Sequence, residues 1–359
     1  MSGDLQQRFL DLARRHIDGG TFPGIVLRIE RDGKPVVNFA AGSTGLGEYE
    51  KPLSEDAVYD LASLTKPLAS TSSFLAVCEA ERISLDSRAG SFIPELRPET
   101  GNLSLIQLMT HTGGLPPVPE IFRLFKSDSD IDEEMALEHL FSLTPVSPQG
   151  TVVYSCTGYI LLTQILNRIT GRSLSELFRE LFTEPMGIDD LIFNPEGSPK
   201  KRCVPTEYCR WRNRMCLGEV HDENSLCLGG EGGNAGLFGT AEAVSKLAEL
   251  FRCEGSHNGR QYLSPETVSL MTSRQSESRE PARALGFLTQ SGESFAGGGF
   301  SETAFGHTGF TGTSLWMDNE LGIKVTALTN RVHPGRDLTA EKIRLFRKEL
   351  HGLLLSAIC

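Results

Sequence analysis

The 359-residue sequence lacks the usual marks of a secreted or membrane-bound protein. Its first 20 residues hold neither an uninterrupted apolar stretch nor a small-residue cleavage site, so we expect no signal peptide. No apolar run approaches the ~20 residues of a membrane-spanning helix. A terminal Cys359 is not a prenylation box. We therefore expect a cytoplasmic protein with no membrane partner.

Positive charge is scarce, since 35 lysines and arginines face 46 acidic residues and give a formal net charge of -11. Nucleic acid and anionic membrane surfaces do not attract such a chain. With 39% hydrophobic and 23% charged residues, the composition is typical of a globular protein. We expect a small-molecule substrate and no nucleic-acid partner, and the composition sets no oligomeric state.

The eight cysteines form no C-x-x-C pair, which argues against a disulfide framework and against the common zinc-ligand pattern. A looser group could still be interpreted as a zinc site, although its spacings match no common template. Its members are Cys203, Cys209, Cys216, His221 and Cys227. We expect reduced thiols, no bound metal and no cofactor.

Several catalytic signatures are also missing. There is no G-x-S-x-G elbow, which argues against an α/β-hydrolase. There is no H-E-x-x-H, no Walker loop and no G-x-G-x-x-G with a suitable helix behind it. Whatever chemistry the chain performs must come from another pattern.

The predicted elements run in the order helix, strands, helical block, strands, helix. Two strand-like runs joined by Asp32-Gly33 predict a hairpin. Residues 194–235 look irregular, which is long for a structureless loop and typical of function or disorder. The order suggests one sheet domain built from residues 1–70 and 232–359, with a mostly helical domain of residues 71–231 inserted. Helices are predicted near the N-terminus and at about 63–82, 158–171, 240–252 and 337–355, and strands at 24–30, 35–42, 304–309, 311–318 and 322–330.

The clearest chemical pattern is S-L-T-K at residues 63–66. At this spacing on a helix Ser63 and Lys66 share a face, and a lysine can take the serine proton if its pKa is lowered. Pro67 is tolerated only in a first turn, which places Ser63 at the helix start beside free N–H groups. A second match at residues 198–201 lies among proline and glycine that we expect to prevent a helix. Alone, the first match also fits an N-capping serine beside a surface lysine.

Two further segments carry possible chemistry. Tyr154 precedes a predicted helix, and a phenol beside a lysine can shuttle a proton. Without other context, a tyrosine packed at the start of a helix is the favoured interpretation. Residues 306–312, GHTGFTG, combine a strand-like pattern with glycines that let a substrate approach the backbone. Their N–H groups could bind an oxyanion or a peptide-like substrate, or the run could be a plain edge strand.

Taken in order, these segments resemble the serine β-lactamase and penicillin-binding-protein superfamily, whose pattern is S-x-x-K, S-D-N and K-T-G. They are most similar to its class C β-lactamase, esterase and D-amino-acid peptidase branch, which has Y-x-N in the middle. Residues 60–66, 108–116 and 234–241 are similar to recurrent family segments. The resemblance spans about residues 20–332. It implies an α+β, β-lactamase/transpeptidase-like fold in which the active site lies between an antiparallel sheet flanked by helices and the inserted helical domain.

The resemblance also implies roles for individual residues. Ser63 would be acylated while Lys66 and Tyr154 exchange its proton. The N–H groups of Ser63 and Phe310 would form the oxyanion hole. His221 lies in a loop similar to one in a penicillin-binding-protein-like subgroup, and either lines the site or bonds only to nearby backbone. The implied substrate-binding residues are Cys156, His307, Thr308 and Gly309.

Two of these positions depart from the branch. Cys156 replaces the usual asparagine, and a thiol hydrogen-bonds an acylamide poorly. His307 replaces the usual lysine, and a neutral histidine offers less fixed charge to a carboxylate. These departures argue against efficient β-lactam hydrolysis and favour uncharged short-chain esters. We also expect His307 to become charged as the pH falls toward its ordinary pKa.

We therefore predict a serine hydrolase that acts through an acyl-enzyme on small esters or amides, as an esterase or D-peptidase with weak β-lactamase activity. One alternative is a β-lactam-binding sensor that deacylates slowly. Another is an acyltransferase, which would use the same catalytic residues.

Overall fold

The computed structural model describes residues 2–275, 282–291 and 299–358. A six-stranded sheet, the large sheet, joins strands from both ends of the chain, and all of its neighbouring pairs are antiparallel. The hairpin predicted at Asp32-Gly33 is present, with both residues at positive φ. The strands of the large sheet, in spatial order, are Leu288–Thr289, Phe305–Thr308, Ser314–Asp318, Ile323–Thr329, Gly24–Arg31 and Lys34–Gly42.

Both faces of the large sheet are covered. Alternate side chains of a strand point to opposite faces, so the strand Gly24–Arg31 is buried along most of its length. One face packs on the terminal helices Ser2–Asp18 and Ala340–Ile358. The other face presents Val26 to a larger core that includes helix Ala241–Arg252. The residues of this strand that face the terminal helices are Ile25, Leu27 and Ile29.

The helix predicted at about 63–82 is present but changes form along its length. A 3-10 turn at Ala62–Leu64 leads into a π-helical segment at Lys66–Thr71 and then an α-helix at Ser72–Glu81. The other α-helices of eight or more residues are Ser2–Asp18, Glu133–Ser142, Cys156–Thr170, Ala241–Arg252, Pro265–Thr272 and Ala340–Ile358. Shorter α-helices are Pro98–Gly101, Leu105–Met109, Leu174–Phe178, Glu184–Met186, Gly197–Lys201 and Glu223–Leu226.

A second, smaller sheet lies next to the Ser63 segment and was not predicted. Its strands are only two or three residues long, too short for a recognisable alternation. The Leu61 N–H donates to the Leu237 carbonyl at 2.9 Å, which extends this sheet to the residue two positions before Ser63. Its strands, in spatial order, are Tyr59–Asp60, Leu237–Gly239 and Leu191–Phe193.

One local prediction was wrong. Residues 198–201 lie in a short α-helix, Gly197–Lys201, although we expected proline and glycine to prevent one. Pro199 falls in the first turn, where its missing N–H has no intrahelical partner to lose. Ser198 and Lys201 are exposed, so this second S-x-x-K match lies on the surface.

The described residues bear on two further expectations. None of their helices is both long and apolar enough to cross a membrane. The seven cysteines that the structure describes are free thiols, and Cys359 lies outside the described residues. The division at residues 70/71 and 231/232 stays a prediction, and the larger core contains side chains from both proposed parts.

Candidate active site

The turn that carries Ser63 is held by a buried carboxylate. Ala62 has a φ of 47°, and its N–H donates to Asp60 Oδ1 at 2.8 Å. Asp60 Oδ2 accepts the His221 N–H at 2.6 Å. Burial raises the pKa of Asp60 against the opposing effect of these two hydrogen bonds. A side chain that the sequence analysis gave no role thus connects the Ser63 turn to the His221 loop.

Lys66 lies beneath Ser63 and is fully buried. Its Nζ donates to Ser63 Oγ at 3.0 Å and to the Asn234 carbonyl at 2.8 Å. It lies 3.6 Å from Cys156 Sγ and 4.9 Å from the centroid of the Tyr154 ring. The structure therefore brings the three predicted catalytic side chains together, with Cys156 beside them.

The charge of Lys66 differs from the sequence-based expectation. Burial alone would lower its pKa, but attraction between its ammonium group and the ionised forms of Cys156 and Tyr154 outweighs burial, and the pKa is raised. Burial raises the pKa of the Cys156 thiol against the opposing effect of Lys66. Lys66 is therefore better suited to stabilise negative charge on its neighbours than to start as a free amine.

The strand Phe305–Thr308 runs directly to the Ser63 turn. A Cβ at Gly309 would lie 2.6 Å from the Leu61 carbonyl oxygen and would clash with Thr313 Oγ1, so the approach requires glycine. Thr313 Oγ1 in turn donates to that carbonyl at 3.0 Å. Among the described residues, neither the Ser63 N–H nor the Phe310 N–H donates to another acceptor. Both are therefore available to bind an oxyanion.

His307 is buried on the same strand. Its Nδ1 donates to the Thr308 carbonyl at 2.9 Å, and its ring centroid lies 6.0 Å from that of Tyr154. Burial, with Arg283 and Lys66 nearby, holds the pKa of His307 well below its ordinary value. His307 stays neutral from pH 8 down past its ordinary value, so the expectation that it becomes charged there is wrong.

His221 is close to the site but does not line its cavity. Its ring stacks on Phe310, with the centroids 5.7 Å apart, and its Nε2 lies 3.0 Å from Glu207 Oε2. It therefore supports Phe310 from behind. Its ring has a carboxylate partner, and among the described residues the ring makes no bond to nearby backbone, the contact expected from the sequence.

A cavity of about 520 Å³ opens onto Ser63 and Tyr154. The predicted residues His307, Thr308 and Phe310 also line it, as does Gly309, while Lys66 and Cys156 do not. The rest of the lining was not predicted: Arg283, Leu288, Arg331, Ala340, Ile343, Arg344 and Arg347. A larger surface groove of about 810 Å³ elsewhere holds none of the predicted site residues.

The four arginines of this cavity, here called the arginine set, come from three parts of the sequence, since Arg344 and Arg347 lie one turn apart on the last helix. Arg331 Nε donates to the Phe310 carbonyl at 2.9 Å. Arg283 lies over the Tyr154 ring at 5.2 Å. Arg347 is buried and donates to the Thr313 carbonyl at 2.9 Å, while its Nε has no partner among the described residues.

These arginines remain charged near neutral pH. Burial, with Arg331 and Arg344 nearby, lowers the pKa of Arg347 only to about 9. Since none of the described lining residues is acidic, the cavity carries a positive charge that His307 does not supply. No sequence motif marks this set, because its members come from three segments that only the fold brings together.

The cysteine group considered for zinc does not converge on one point. Cys203 Sγ lies 3.4 Å from the Pro199 carbonyl, and Cys216 Sγ lies 3.3 Å from an Arg212 nitrogen. Within the described residues, no three histidine, cysteine or acidic side chains are arranged to hold a metal ion.

A family model described as Beta-lactamase matches residues 9–348. This chain belongs to the Beta-lactamase family. A solved class C β-lactamase from Rhodobacter sphaeroides has a TM-score of 0.75 and 18% identity, covering 97% of this chain and 99% of that one. At that identity the likeness shows the fold alone, and it confirms the predicted α+β architecture.

Two other proteins are more similar to this chain in sequence than the solved class C β-lactamase is. The N-acetylmuramyl-L-alanine amidase of Bacillus subtilis (strain 168) is 27% identical over 355 residues, covering 90% of this chain and 80% of that protein. The putative D-alanyl-D-alanine carboxypeptidase of Escherichia coli (strain K12) is 26% identical over 353 residues, covering 89% and 80%. The predicted reaction class is confirmed: this β-lactamase-family chain is a serine hydrolase.

Proposed function

We propose that this chain hydrolyses small amides or esters that carry a carboxylate, through an acyl-enzyme formed on Ser63. One observation carries the proposal. The Ser63 hydroxyl lies 3.0 Å from the buried Lys66 Nζ, and it opens into a cavity that four arginines also line. The first contact supports nucleophilic chemistry, and the second supports selection of an anionic substrate.

In the acylation step, Ser63 Oγ attacks the carbonyl carbon and its proton passes to the pair formed by Lys66 and Tyr154. Because the pKa of Lys66 is raised, the ammonium form of Lys66 stabilises a Tyr154 phenolate that accepts this proton. The N–H groups of Ser63 and Phe310 hold the oxyanion. As the C–N or C–O bond breaks, the pair returns a proton to the leaving group. Water then attacks the acyl ester and gives a proton to the same pair. The bond to Ser63 Oγ breaks, the carboxylic acid leaves, and the pair returns the proton to Oγ.

The arginine set supports a carboxylate on the substrate. Guanidinium groups bind carboxylates through charge-assisted hydrogen bonds that are about twice as strong as neutral ones. The sequence argument for uncharged esters considered only the charge at His307. With the arginines included, an anionic substrate gains attraction that a neutral ester cannot gain.

The sequence relatives support an amide as the bond that breaks. An amidase and a carboxypeptidase both cleave amide bonds, and these two proteins match this chain over at least 89% of its length. From these two relatives we infer the type of bond that is cleaved, and not the identity of the substrate.

A matched pair of substrates tests the proposal: N-acetyl-D-alanyl-D-alanine and the same peptide with a C-terminal amide. We expect kcat/KM for the free acid to be at least about tenfold higher. The difference should shrink as salt screens the charges. Equal values, or a preference for the amide form, would contradict the proposed selectivity.

Variants on one helix assign the preference to the cavity. Arg344→Gln removes a lining charge, and Lys348→Gln removes an exposed charge on the same helix that does not line the cavity. We expect the first to reduce the preference about two- to fivefold, because Arg344 is exposed. The second should leave it unchanged. Equal losses would mean that overall charge, and not the cavity, attracts the substrate.

An ester separates the hydrolase from its alternatives. Release of p-nitrophenol from p-nitrophenyl acetate should continue well beyond one equivalent. A sensor that stays acylated would stop at one equivalent. An acyltransferase would form the acetyl ester of an added alcohol in preference to acetate.

A further inference from the structure

The loop at residues 111–117 holds the segment around Tyr154 by hydrogen bonds. Pro116 contributes a carbonyl that accepts from Thr157 Oγ1 at 2.7 Å, and the Pro117 carbonyl accepts the Cys156 N–H at 2.8 Å. These bonds fix the chain on the C-terminal side of Tyr154. The loop belongs to a segment that the sequence analysis singled out only for its resemblance.

His111 fixes the chain on both sides of Tyr154. Its carbonyl accepts the Val153 N–H at 2.9 Å. Its ring Nδ1 accepts the Ser155 N–H at 3.0 Å. The two residues that flank Tyr154, Val153 and Ser155, therefore both donate their N–H groups to His111.

The His111 ring also packs against the tyrosine itself. Its centroid lies 4.7 Å from that of Tyr154 and 5.3 Å from that of Tyr159, and the side chain is 3% exposed. Lys66 Nζ approaches the same two tyrosine rings, at 4.9 and 5.6 Å. The His111 imidazole and the Lys66 ammonium group therefore both lie against the Tyr154 ring.

This arrangement requires a neutral imidazole. A backbone N–H only donates, so Nδ1 must be unprotonated to accept from Ser155. Burial, together with the positive charge of Arg283 and Lys66 and the neighbouring His307, holds the pKa of His111 well below its ordinary value. The acceptor is therefore present throughout the range around neutral pH.

The backbone of His111 lies in the left-handed region, with a φ of 59°. A non-glycine residue rarely adopts this conformation, and such positions are kept where the surrounding structure demands them. Asparagine and glycine both adopt it readily. The strain and the acceptor can therefore be varied separately.

We propose that His111 is a positioning residue for Tyr154: its carbonyl and its Nδ1 hold the two neighbouring N–H groups, so that the phenol stays beside Lys66 and Ser63. This inference rests on the proposed function, since it assumes that Tyr154 takes part in proton transfer. His111 itself acts through Tyr154 and is assigned no direct contact with substrate.

Two substitutions at His111 separate the acceptor from the backbone. His111→Gly keeps a compatible backbone and removes the acceptor. His111→Asn keeps the backbone and supplies Oδ1 in place of Nδ1. We expect glycine to lower kcat about 10- to 100-fold with KM changed less than about threefold, and asparagine to restore most of kcat. Equal losses in both variants, or no loss in the glycine variant, would overturn the proposal.

The same substitutions in a Tyr154→Phe background show whether His111 acts through Tyr154. We expect His111→Gly to cause no further loss of kcat there. An undiminished further loss would overturn the inference and leave the proposed function intact. Full activity of Tyr154→Phe alone would instead contradict the proposed function, before any His111 variant is considered.

A measurement on the unaltered protein covers the case in which the glycine variant does not fold. The ¹⁵N chemical shifts of the His111 imidazole should report an unprotonated, hydrogen-bonded Nδ1 that does not change between pH 5.5 and 8. A proton on Nδ1 anywhere in this range would overturn the proposal.

Discussion

Two groups of side chains meet at the candidate active-site cavity, and the sequence encodes them differently. The nucleophile set consists of Ser63, Lys66 and Tyr154, and two of its members share one short motif. The arginine set comes from three separate segments, of which only the last helix supplies two members. The first group was predicted from the sequence, and the second was recognised only from the structure.

The difference follows from the range over which each interaction acts. Proton transfer requires atoms within hydrogen-bond distance, and a spacing of three residues at the start of a helix meets this for Ser63 and Lys66. Attraction between charges acts over several ångströms and adds up over many positions. Arginines from any neighbouring segment can therefore supply it. Sequence motifs accordingly identify a reaction more readily than a substrate.

The largest effect expected within the nucleophile set is that of Ser63→Ala. It should lower kcat by several orders of magnitude and abolish labelling by a fluorophosphonate probe, since no other group forms the acyl-enzyme. Ser198→Ala changes the exposed second S-x-x-K match and provides the matched control, with labelling and kcat unchanged. Labelling that persists in the Ser63 variant would disprove the assignment.

The next effect tests whether Lys66 and Tyr154 act as one unit. Lys66→Ala and Tyr154→Phe should each lower kcat about 10²- to 10⁴-fold, the usual contribution of general acid–base catalysis. The double variant should be little worse than the worse single variant, because both changes interrupt the same proton route. Steady-state kinetics of the four proteins measure this. Losses that simply multiply would show two independent roles.

The fold could be predicted where the hydrophobic pattern is regular. The helix predicted at 158–171 is observed at Cys156–Thr170, with Gly171 in the left-handed conformation that ends it. The last helix, predicted at 337–355, is observed at Ala340–Ile358. The helix predicted at 240–252 is observed at Ala241–Arg252, and the Thr240 side chain caps it by accepting the Ala243 N–H. Burial of one face imposes a period on such segments, and that period can be recognised.

The rest of the site depends on contacts between residues far apart in the chain. Asp60 binds the His221 N–H across 161 positions, and nothing in its local sequence indicates this. The charge of Lys66 also depends on neighbours that only the fold supplies. The sequence therefore predicted a candidate set of side chains that the fold brings together, and not how the surrounding charges and hydrogen bonds adjust them.

Asp60→Asn tests one of these unpredicted contacts. The carboxylate accepts two N–H groups, at 2.8 and 2.6 Å, and an amide can accept only one of them while its NH₂ faces the other. Losing a hydrogen bond to a charged group costs about 1.5–3 kcal/mol. We expect kcat to fall about 10- to 100-fold with KM little changed, since the Ser63 turn and the loop behind Phe310 are both loosened.

The exposed Asp189 provides the control for this change, as Asp189→Asn. Kinetics and thermal unfolding should be measured for both variants. If Asp60→Asn lowers the midpoint of thermal unfolding but leaves kcat unchanged, the Ser63 turn does not depend on Asp60.

The smallest expected effect concerns Cys156 and His307, the two departures from the family pattern. On the sequence alone, these two residues would decide the choice of substrate. If only the hydrogen bonds regained are counted, restoring the usual residues with Cys156→Asn and His307→Lys predicts a shift toward β-lactams of roughly a hundredfold. The structure removes both reasons. Cys156 does not line the cavity, so an amide there is not placed to meet a substrate side chain. A lysine at the buried position 307 would lie near Arg283 and Lys66, where burial and like charge lower its pKa. The arginine set already supplies the attraction for a carboxylate.

We therefore expect the ratio of kcat/KM for a chromogenic cephalosporin to that for p-nitrophenyl acetate to change by less than about threefold in the double variant. A rise near a hundredfold would show that the two family positions, and not the arginines, control selection of the substrate.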